Sequence, residues 1–469
     1  MIAAEHYDML VIGSGPGGQR AAIQAAKLGK RVAVVEKSDQ LGGAALRAGT
    51  IPSKALREAA LVLTGAAGSG LLADQRMIRR DVTPEELIAL TRQVIASQLR
   101  VLEDAFARNR IEVLWGHARF EDERTVAIEG RDSGRVVTAD RFVIATGTRP
   151  AQPGHVPFNG STIVTTDGIR DIKRMPRSLL VVGGGVIGTE MACIMAALSV
   201  EVTLVEGHDQ LLGFIDREII EMFQTAIRRM GVTLRLGEKV ERIAEVPGAG
   251  GNSLVQATLE SGKELRAEVL LYAVGRQGVC KALCLEKVGI SYDDRERLKV
   301  NEHYQTAVPN IYAVGDVIGF PALAATSMEQ GRLAACHAFG VAGRSLPNLL
   351  PYGVYSIPEI SMVGQTEHAL TDAAIPYESG VARFADLARG RMLGDHDGLL
   401  KLLVHQKNRR LLGVHCVGTS ATELIHIGQM VMAFNGTVDD LVDNVFNYPT
   451  LAEAYKVAAH NAVNKLEMR

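Results

Sequence analysis

Two segments of the chain carry the same spacing of three glycines and one glutamate, residue types that can hold a phosphate group and a sugar. Each segment begins with a short apolar run, passes through Gly-x-Gly-x-x-Gly into a helix-like stretch, and ends after a second apolar run at the glutamate. The matched positions are Gly13, Gly15, Gly18 and Glu36 in the first segment and Gly183, Gly185, Gly188 and Glu206 in the second. All four positions recur at one constant offset, which indicates an internal duplication.

The spacing of these residues has a chemical reason. The first glycine permits a tight turn after a strand, the second lets the backbone approach a pyrophosphate, and the third lets helix and strand pack closely. The amide groups at the helix start hold the pyrophosphate, and the acid that ends the next strand accepts a hydrogen bond from a ribose. A single such pattern is often only a turn. Two copies, each with strand, helix and acid, predict that the chain binds two dinucleotides.

The apolar patterning predicts the elements that position these segments. Strands are expected at 9–12, 32–35, 111–114, 125–128, 141–145, 232–236, 254–259, 269–274, 399–404 and 411–417, and helices at 84–108, 421–434 and 450–465. The last two strands flank the polar stretch Lys407-Asn408-Arg409-Arg410 and therefore predict a hairpin. The turn-rich stretch from Ala145 to Pro150 predicts the first domain boundary.

Composition and charge exclude several classes of protein. Lys and Arg number 51 and Asp and Glu number 53, so the net charge of −2 argues against nucleic-acid binding through a global positive field. No two of the five cysteines form a Cys-x-x-Cys motif, and their spacing indicates neither a disulfide framework nor a metal site. Glu5 and Asp8 stand where a signal peptide needs a basic and then an apolar run. We therefore expect a soluble, cytoplasmic protein with no membrane partner.

Over essentially its whole length the chain resembles the flavoprotein disulfide reductases, such as lipoamide dehydrogenase, glutathione reductase and mercuric reductase. Besides both glycine segments, the motifs that carry the resemblance are Leu41-Gly42-Gly43, Ile51-Pro52-Ser53-Lys54, Ala145-Thr146-Gly147 and Pro309-Asn310-Ile311-Tyr312-Ala313-Val314-Gly315-Asp316. The resemblance implies FAD at the first segment, NAD(H) or NADP(H) at the second, and a homodimer. The implied α/β architecture has two Rossmann-like domains, for FAD over 1–150 and 271–345 and for NAD(P) over 151–270, followed by a C-terminal α+β dimerisation domain over 346–469.

The same resemblance assigns roles to individual residues. It implies that Lys54 lies beside flavin N5 and pairs with Glu190, and that Asp316 binds the flavin ribityl chain. The backbone at Leu323 and Ala324 is implied to face the pyrimidine end of the flavin. Further cofactor-binding positions implied are Gly43, Ala118, Thr146, Gly147, Gly275 and Gly315.

The sequence departs from the family at its redox centre. The positions of the two redox cysteines hold Ala45 and Thr50, and the position of the catalytic histidine holds Tyr448, while the acid that partners this histidine remains as Glu453. Thiolate chemistry needs both a thiol and a base that activates it. Their joint absence argues against reduction of a disulfide, lipoamide or mercuric ion. Tyr448 is either a packing residue at a dimer seam or a hydrogen-bond donor to the flavin or the acceptor.

Three hypotheses about function stay open at this point. The segment Asn447-Tyr448-Pro449-Thr450 resembles a branch of the family that transfers hydride between NAD(H) and NADP(H) through FAD. Glu206 instead favours NADH as donor to a quinone, oxygen or another acceptor, because a carboxylate suits the 2′-hydroxyl of NAD and repels the 2′-phosphate of NADP. The third hypothesis is a sensor or scaffold that only binds FAD and nucleotide. The retained Lys54 and Glu190 argue against this hypothesis.

Overall fold

The computed structural model describes residues 5–64, 83–131, 134–171, 174–248, 253–343 and 349–468. The backbone divides into two units. One contains Met1–Ala55, Ala89–Ala151 and Gly275–Leu346, and the other contains Leu56–Ile88, Gln152–Val274 and Pro347–Arg469. Each glycine segment lies within one unit.

The described residues form both strands and helices, and helices separate strands mainly around the two glycine segments and in the last part of the chain. The strands are β1 (Glu5–Ile12), β2 (Val32–Glu36), β3 (Glu112–Trp115), β4 (His117–Asp122), β5 (Thr125–Glu129), β6 (Arg135–Ile144), β7 (Thr148–Pro150), β8 (Ile163–Thr165), β9 (Ser178–Val182), β10 (Glu201–Glu206), β11 (Thr233–Leu236), β12 (Val240–Pro247), β13 (Ser253–Leu259), β14 (Glu264–Ala267), β15 (Val269–Tyr272), β16 (Arg276–Gly278), β17 (Ile311–Ala313), β18 (Tyr352–Val354), β19 (Glu359–Gly364), β20 (Tyr377–Arg383), β21 (Leu399–His405) and β22 (Leu411–Gly418). The α-helices are α1 (Pro16–Lys27), α2 (Gly43–Arg47), α3 (Thr50–Leu63), α4 (Pro84–Arg108), α5 (Val186–Ala197), α6 (Arg217–Arg229), α7 (Ala324–Ala338), α8 (Glu367–Asp372), α9 (Ala388–Leu393), α10 (Ala421–Ala433), α11 (Val438–Asp443) and α12 (Glu453–Glu467).

The first unit is built on a sheet in which the strand order is β3-β2-β1-β6-β5-β4, with β17 also paired to β6. Strands β1, β2, β3, β6 and β17 are paired in parallel, whereas β4 and β5 join as an antiparallel edge. All five residues of β2 are buried, as is typical of a parallel strand covered on both faces. Helix α1 begins with Pro16, whose fixed φ and missing amide hydrogen suit the first helical position.

The second unit contains a parallel sheet, an antiparallel sheet that follows it, and a larger antiparallel sheet. The parallel strand order is β11-β10-β9-β15-β8, the small antiparallel sheet is β12-β13-β14, and the larger one is β18-β19-β22-β21-β20. Helix α12 approaches β20 very closely, because a Cβ atom built on Gly380 would lie 2.1 Å from the carbonyl oxygen of Ala458. The larger sheet and its helices α10 and α12 share one hydrophobic core.

The structure confirms the α/β architecture and the predicted elements. Helix α4 has the predicted bounds, and β21 and β22 pair antiparallel as the predicted hairpin. The last helix was predicted from Thr450 but begins at Glu453, after a turn that follows Pro449. Within the described ranges, no helix combines the length and the apolarity needed to cross a bilayer.

Candidate dinucleotide sites

The first glycine segment forms a turn that only glycine can adopt. Gly13 has a φ of 103°, and a Cβ atom there would lie 2.5 Å from the carbonyl oxygen of Ala145. A Cβ atom on Gly18 would lie 1.9 Å from the carbonyl oxygen of Gly13. The start of α1 therefore lies directly against the end of β1, and its amide groups are available to an anion at this edge of the sheet. Gly15 has open space around it, with one atom of Ala145 at 4.0 Å.

The glutamate that ends β2 is held in one orientation. Glu36 is buried, and its Oε2 accepts hydrogen bonds from the backbone amide of Ser14 at 3.0 Å and from the Ser14 hydroxyl at 2.5 Å. Its Oε1 accepts a hydrogen bond from the amide of Ser38 at 2.9 Å. The Ser14 hydroxyl also accepts a hydrogen bond from the amide of Gly42 at 2.9 Å, which ties the turn before α2 to the glycine segment.

The end of β6 adds polar groups to the first site. The Ala145 amide donates to the carbonyl oxygen of Ile12 at 2.8 Å, so Thr146 and Gly147 lie beside the glycine turn. The Thr146 hydroxyl is buried and has no hydrogen-bond partner in the described part of the chain, and nothing would meet a Cβ atom on Gly147. A buried hydroxyl without a partner is costly unless a ligand supplies one. These groups fit a bound FAD.

Asp316 and the start of α7 lie in the same unit. Asp316 Oδ2 accepts a hydrogen bond from the Thr148 hydroxyl at 3.2 Å, and the amide of Gly315 donates to Gln330 Oε1 at 2.8 Å. Helix α7 begins at Ala324 with Leu323 as its N-cap, as predicted from the sequence. The Leu323 amide donates to the carbonyl oxygen of Pro321 at 3.0 Å and is thus used inside the turn.

Two further predicted contacts of the first site lie in less open surroundings. A Cβ atom on Gly43 would lie 2.8 Å from the Cα atom of Gly15, so the start of α2 crosses close over the glycine turn. Ala118 is buried in β4 and is paired with Ile128 of β5. The cofactor contacts of Gly43, Ala118, Thr146, Gly147, Gly315 and Asp316 stay predictions.

The second glycine segment repeats the turn of the first. Gly183 has a φ of 107°, and a Cβ atom on it would lie 2.8 Å from the carbonyl oxygen of Ala273. A Cβ atom on Gly188 would lie 1.9 Å from the carbonyl oxygen of Gly183, whereas Gly185 and Gly275 have open space around them. The second site therefore has the same close approach of helix to strand, and it fits a second dinucleotide.

Glu206, which ends β10, has different hydrogen-bond partners from Glu36. Its Oε2 accepts from the amide of Gly184 at 2.6 Å, and its Oε1 accepts from the amide of His208 at 2.9 Å and lies 2.6 Å from His208 Nδ1. Burial opposes ionisation, but the hydrogen bonds from Gly184 and His208 hold the pKa of Glu206 below its ordinary value. The group is thus a carboxylate at neutral pH and available to a ribose.

The structure brings a lysine to this site that sequence reasoning missed. A Cβ atom on Gly207 would lie 3.2 Å from Cγ and 3.7 Å from Cε of Lys239, so this side chain runs alongside the residue after Glu206. Lys239 lies in the turn between β11 and β12, far along the chain from the glycine segment. No local pattern could have found it, because the contact depends on the pairing of β10 with β11.

The structure gives one hydrogen bond for each member of the predicted catalytic pair, Lys54 and Glu190. Lys54 Nζ, on α3, donates to the Ser53 hydroxyl at 3.3 Å. Glu190, on α5, is buried, and its Oε1 accepts a hydrogen bond from the amide of Tyr355 at 2.9 Å. The pairing of Lys54 with Glu190 stays a prediction.

Tyr448 and Glu453 lie at the end of the chain in different surroundings. Tyr448 is 72% exposed, in a loop before α12. Glu453 begins α12, and its Oε2 is buried without a hydrogen-bond partner among the residues that the structure describes. The exposure of Tyr448 is compatible with both hypotheses for it, since a partner subunit covers the residue in one and a ligand contacts it in the other.

All five cysteines are free thiols in the structure. Ala45 and Thr50, at the positions of the family's redox cysteines, lie in α2 and at the start of α3. Burial raises the pKa of both Cys193 and Cys280 to about 12, and it raises the pKa of Cys416 well above its ordinary value. These three thiols therefore stay protonated at neutral pH and are poor nucleophiles.

A cluster of charges around one buried lysine, which the sequence did not reveal, lies in the second unit. Lys401 of β21 is fully buried, and its Nζ lies 2.9 Å from Asp216, 2.9 Å from Glu218 and 2.7 Å from Glu367. Burial opposes the charge on Lys401, but hydrogen bonds to Glu367 and Asp216 raise its pKa above the ordinary value. The three carboxylates could otherwise suit a metal ion, but here the ammonium group occupies the space between them.

Two family models match the chain. The model described as pyridine nucleotide-disulphide oxidoreductase matches residues 7–331, and the model of the dimerisation domain of the same group matches residues 350–459. The first match covers both glycine segments, and the second covers the larger antiparallel sheet.

Similar proteins cover nearly the whole chain. A protein of Mycobacterium bovis (strain BCG / Pasteur) named soluble pyridine nucleotide transhydrogenase is 51% identical over 98% of this chain and 98% of its own length. A protein of Klebsiella pneumoniae with the same name is 43% identical, with 98% of both chains covered. Among solved structures, the HOCl-induced flavoprotein disulfide reductase RclA from Escherichia coli is 28% identical with a TM-score of 0.86, over 97% of this chain and 99% of that one.

Proposed function

The chain belongs to the pyridine nucleotide-disulphide oxidoreductase family, and from that premise we propose that it is an FAD-dependent transhydrogenase that transfers hydride between NAD(H) and NADP(H). The observation that carries the proposal is that both dinucleotide turns are complete, while Ala45 and Thr50 replace the thiols. A chain with two nucleotide sites but without the family's redox disulfide cannot pass electrons from the flavin to a pair of thiols. The name of its relatives supports the same reaction.

The residues of the first unit fit the task of holding FAD permanently. The turn at Gly13 and Gly15 would hold the pyrophosphate, Glu36 would bind the adenosine ribose, and Asp316 would bind the ribityl chain. Bound FAD would supply the redox chemistry that no side chain offers, since it accepts hydride from a reduced nicotinamide and returns it to an oxidised one.

Lys54 and Glu190 would act on the charge that develops during transfer. We assign Lys54 the task of placing a cation beside flavin N5, where it favours the arrival of electron density. Glu190 would fix the orientation of that lysine. The start of α7 at Leu323 and Ala324 would contribute the positive end of its helix dipole to the other end of the flavin ring.

The second unit would bind the exchanging nucleotide. Gly183, Gly185 and Gly188 form the turn for its pyrophosphate, and Glu206 is positioned for its ribose. A single nicotinamide site of this kind requires the first nucleotide to leave before the second enters. We therefore expect ping-pong kinetics, and a sequential pattern with both nucleotides bound together would contradict the proposal.

The proposal includes the assembly, the location and the division into domains. The dimerisation-domain match supports a homodimer, and exposed apolar side chains in that region support it further: Met430, Phe434, Val445 and Tyr448. Sedimentation of the purified protein tests the homodimer. We also propose a cytoplasmic location, where both nucleotides are at hand, and the assignment of FAD to 1–150 and 271–345 and of NAD(P) to 151–270.

Anaerobic mixing of the FAD-loaded protein with each donor tests the reaction. NADPH and NADH, added separately, should both bleach the flavin, and oxidised thio-NAD should then restore its colour. Bleaching by NADH alone would overturn the transhydrogenase and favour the second candidate, an NADH-dependent reductase of a quinone, oxygen or another acceptor. Glu206 is the observation that favours that candidate.

A further inference from the structure

An arginine of α3 is buried and bound by a segment that lies far along the chain. The side chain of Arg57 is 9% exposed, its Nε donates to the carbonyl oxygen of Ser356 at 3.0 Å, and its Nη2 lies 3.1 Å from Glu359 Oε1. Its Nη1 is bound by the exposed Glu58. An apolar side chain often replaces a buried ion pair at no loss of stability, so packing alone does not account for a guanidinium at this position.

The contacts of Arg57 fix the connection between β18 and β19, residues 355–358. Ser356 lies in this connection, and Glu359 is the first residue of β19. The other carboxylate oxygen of Glu359 accepts hydrogen bonds from the amide of Thr422 at 3.1 Å and from its hydroxyl at 2.8 Å. The Ser356 hydroxyl donates to the carbonyl oxygen of Pro358 at 2.7 Å. Because a guanidinium is planar and presents its donors in a rigid fork, Arg57 holds the connection in one position.

The same connection contacts the face of α5 that carries Glu190. The amide of Tyr355 donates to Glu190 Oε1 at 2.9 Å. One turn further along α5, the backbone of Ile357 is hydrogen-bonded to the Cys193 thiol. Burial raises the pKa of Cys193 to about 12, the charge of Glu190 adds to this rise and that of Arg57 opposes it, so both charged groups lie close to one thiol. A displacement of the connection therefore reaches Glu190 directly.

We propose that Arg57 is a positioning residue for hydride transfer, because it holds the connection that presents the Tyr355 amide to Glu190 and so fixes the orientation of this carboxylate. In this role Arg57 acts through Glu190 and does not itself touch the reacting atoms. The inference rests on the proposed function for the task of Glu190, which is to orient Lys54. It concerns the reduction of the flavin, a step that the transhydrogenase and the NADH-dependent reductase share.

Anaerobic stopped-flow reduction of the FAD-loaded protein by NADH tests the proposal. Arg57→Lys keeps a cation beside Glu359 but cannot reach both oxygens that the fork reaches. We expect it to slow flavin reduction about 10- to 100-fold, because a small misplacement of an orienting group has effects of this size. The Kd of NADH should change less than about twofold, since the lost interaction serves the transition state and not the bound nucleotide.

A cycle of substitutions separates positioning from a contribution to stability alone. Glu190→Gln keeps the size of the side chain and removes the charge that acts on Lys54. In this background Arg57→Lys should change the reduction rate less than about twofold, because the group through which Arg57 acts is already lost. Glu359→Gln, which leaves Arg57 without its charged partner, is the second variant for the same cycle if Arg57→Lys does not retain FAD.

Hydrogen exchange tests the path from Arg57 to Glu190. The amide of Tyr355 should exchange about tenfold faster in Arg57→Lys than in the wild-type protein, because its hydrogen bond to Glu190 opens more often. Arg409→Lys is the matched control, since Arg409 is a half-buried arginine of the same unit whose Nε donates to Asp439 Oδ2 at 2.7 Å on α11. This control should leave both the exchange of Tyr355 and the reduction rate unchanged.

Equal slowing by Arg57→Lys in the wild-type and Glu190→Gln backgrounds would overturn the inference. Unchanged reduction in Arg57→Lys, or unchanged exchange at Tyr355, would overturn it as well. A protein that follows the expected cycle with NADH but is not bleached by NADPH would keep the inference and lose the transhydrogenase. A transhydrogenase in which the two substitutions slow reduction independently would do the reverse.

Discussion

The two glycine segments have nearly the same backbone and differ in what surrounds their acid. Helix α1 and helix α5 have the same length of 12 residues and follow turns with φ values of 103° and 107° at Gly13 and Gly183. Glu36 is bound by Ser14 and Ser38, while Glu206 is bound by Gly184 and His208.

The difference indicates two kinds of ligand. Glu36 is only 4% exposed and these hydrogen bonds fix its orientation, which suits a cofactor that stays bound. The second acid lies beside an exposed histidine, with His208 Nδ1 at 2.6 Å from Glu206 Oε1, and is itself less deeply buried. Under the proposed function, one motif would serve a permanent ligand in the first unit and an exchanging ligand in the second.

Removing Lys401 should have the largest effect, and it should be confined to stability. Lys401 holds Asp216 and Glu218 at the start of α6, the helix that follows the second glycine segment. Lys401→Met leaves the buried carboxylate of Asp216 without its cation, and we expect a loss of about 3–5 kcal/mol in the free energy of unfolding. Denaturant unfolding of the FAD-loaded protein measures it.

Lys263→Met is the control for that variant. Lys263 lies 3.1 Å from Glu238 but is 57% exposed, so its loss should cost far less stability than the loss of Lys401. Equal effects of the two variants would show that the charge cluster around Lys401 does not stabilise the second unit.

Substitution of alanine for the third glycine of each segment should weaken the binding of a different ligand in each case. A Cβ atom meets a carbonyl oxygen at 1.9 Å at both Gly18 and Gly188, and such overpacking costs about 1–3 kcal/mol. We expect Gly18→Ala to lose bound FAD during purification. We expect Gly188→Ala to keep FAD and to bind NADH about tenfold or more weakly. Flavin content and NADH titration measure the two outcomes, and loss of FAD in Gly188→Ala would contradict the division.

Lys54→Met should slow flavin reduction by NADH and by NADPH to the same extent. A charged interaction is worth about 1.5–3 kcal/mol, which corresponds to a slowing of about tenfold or more. Because we place Lys54 at the flavin, the ratio between the reduction rates with the two donors should stay constant. Stopped-flow bleaching measures the rates, and the exposed Lys27→Met is the control. Unchanged rates in Lys54→Met would refute its role.

The sequence allowed prediction of what depends on neighbours along the chain. The glycine turns, α4 and the hairpin of β21 and β22 follow from local spacing and periodicity, and the structure confirms them. Lys401 stands in the run Leu-Leu-Lys-Leu-Leu and looks like an outward residue of a strand, yet it is fully buried. Its surroundings could not be predicted, because the carboxylates that bind it come from elements far apart in sequence.

The same limit applies to the second site. Glu206 is visible in the sequence and argues against NADP. The contact of Lys239 with Gly207 depends on the pairing of β10 with β11, and the short distance from His208 to Glu206 depends on the path of the chain after the strand. Tertiary structure therefore adds a lysine beside this site that local spacing does not reveal.

The smallest predicted effect comes from making the first segment more like the second at Ser14. Its hydroxyl joins Glu36 to the amide of Gly42, and the matching position of the second segment is Gly184, which has no hydroxyl. Ser14→Gly removes both hydrogen bonds, so FAD should bind more weakly by about 1 kcal/mol, or about fivefold. Reconstitution of the apoprotein with FAD measures this, while the Kd of NAD⁺ should stay constant. An unchanged affinity for FAD would mean that Glu36 keeps its orientation without the hydroxyl, and that burial alone distinguishes the permanent site from the exchanging one.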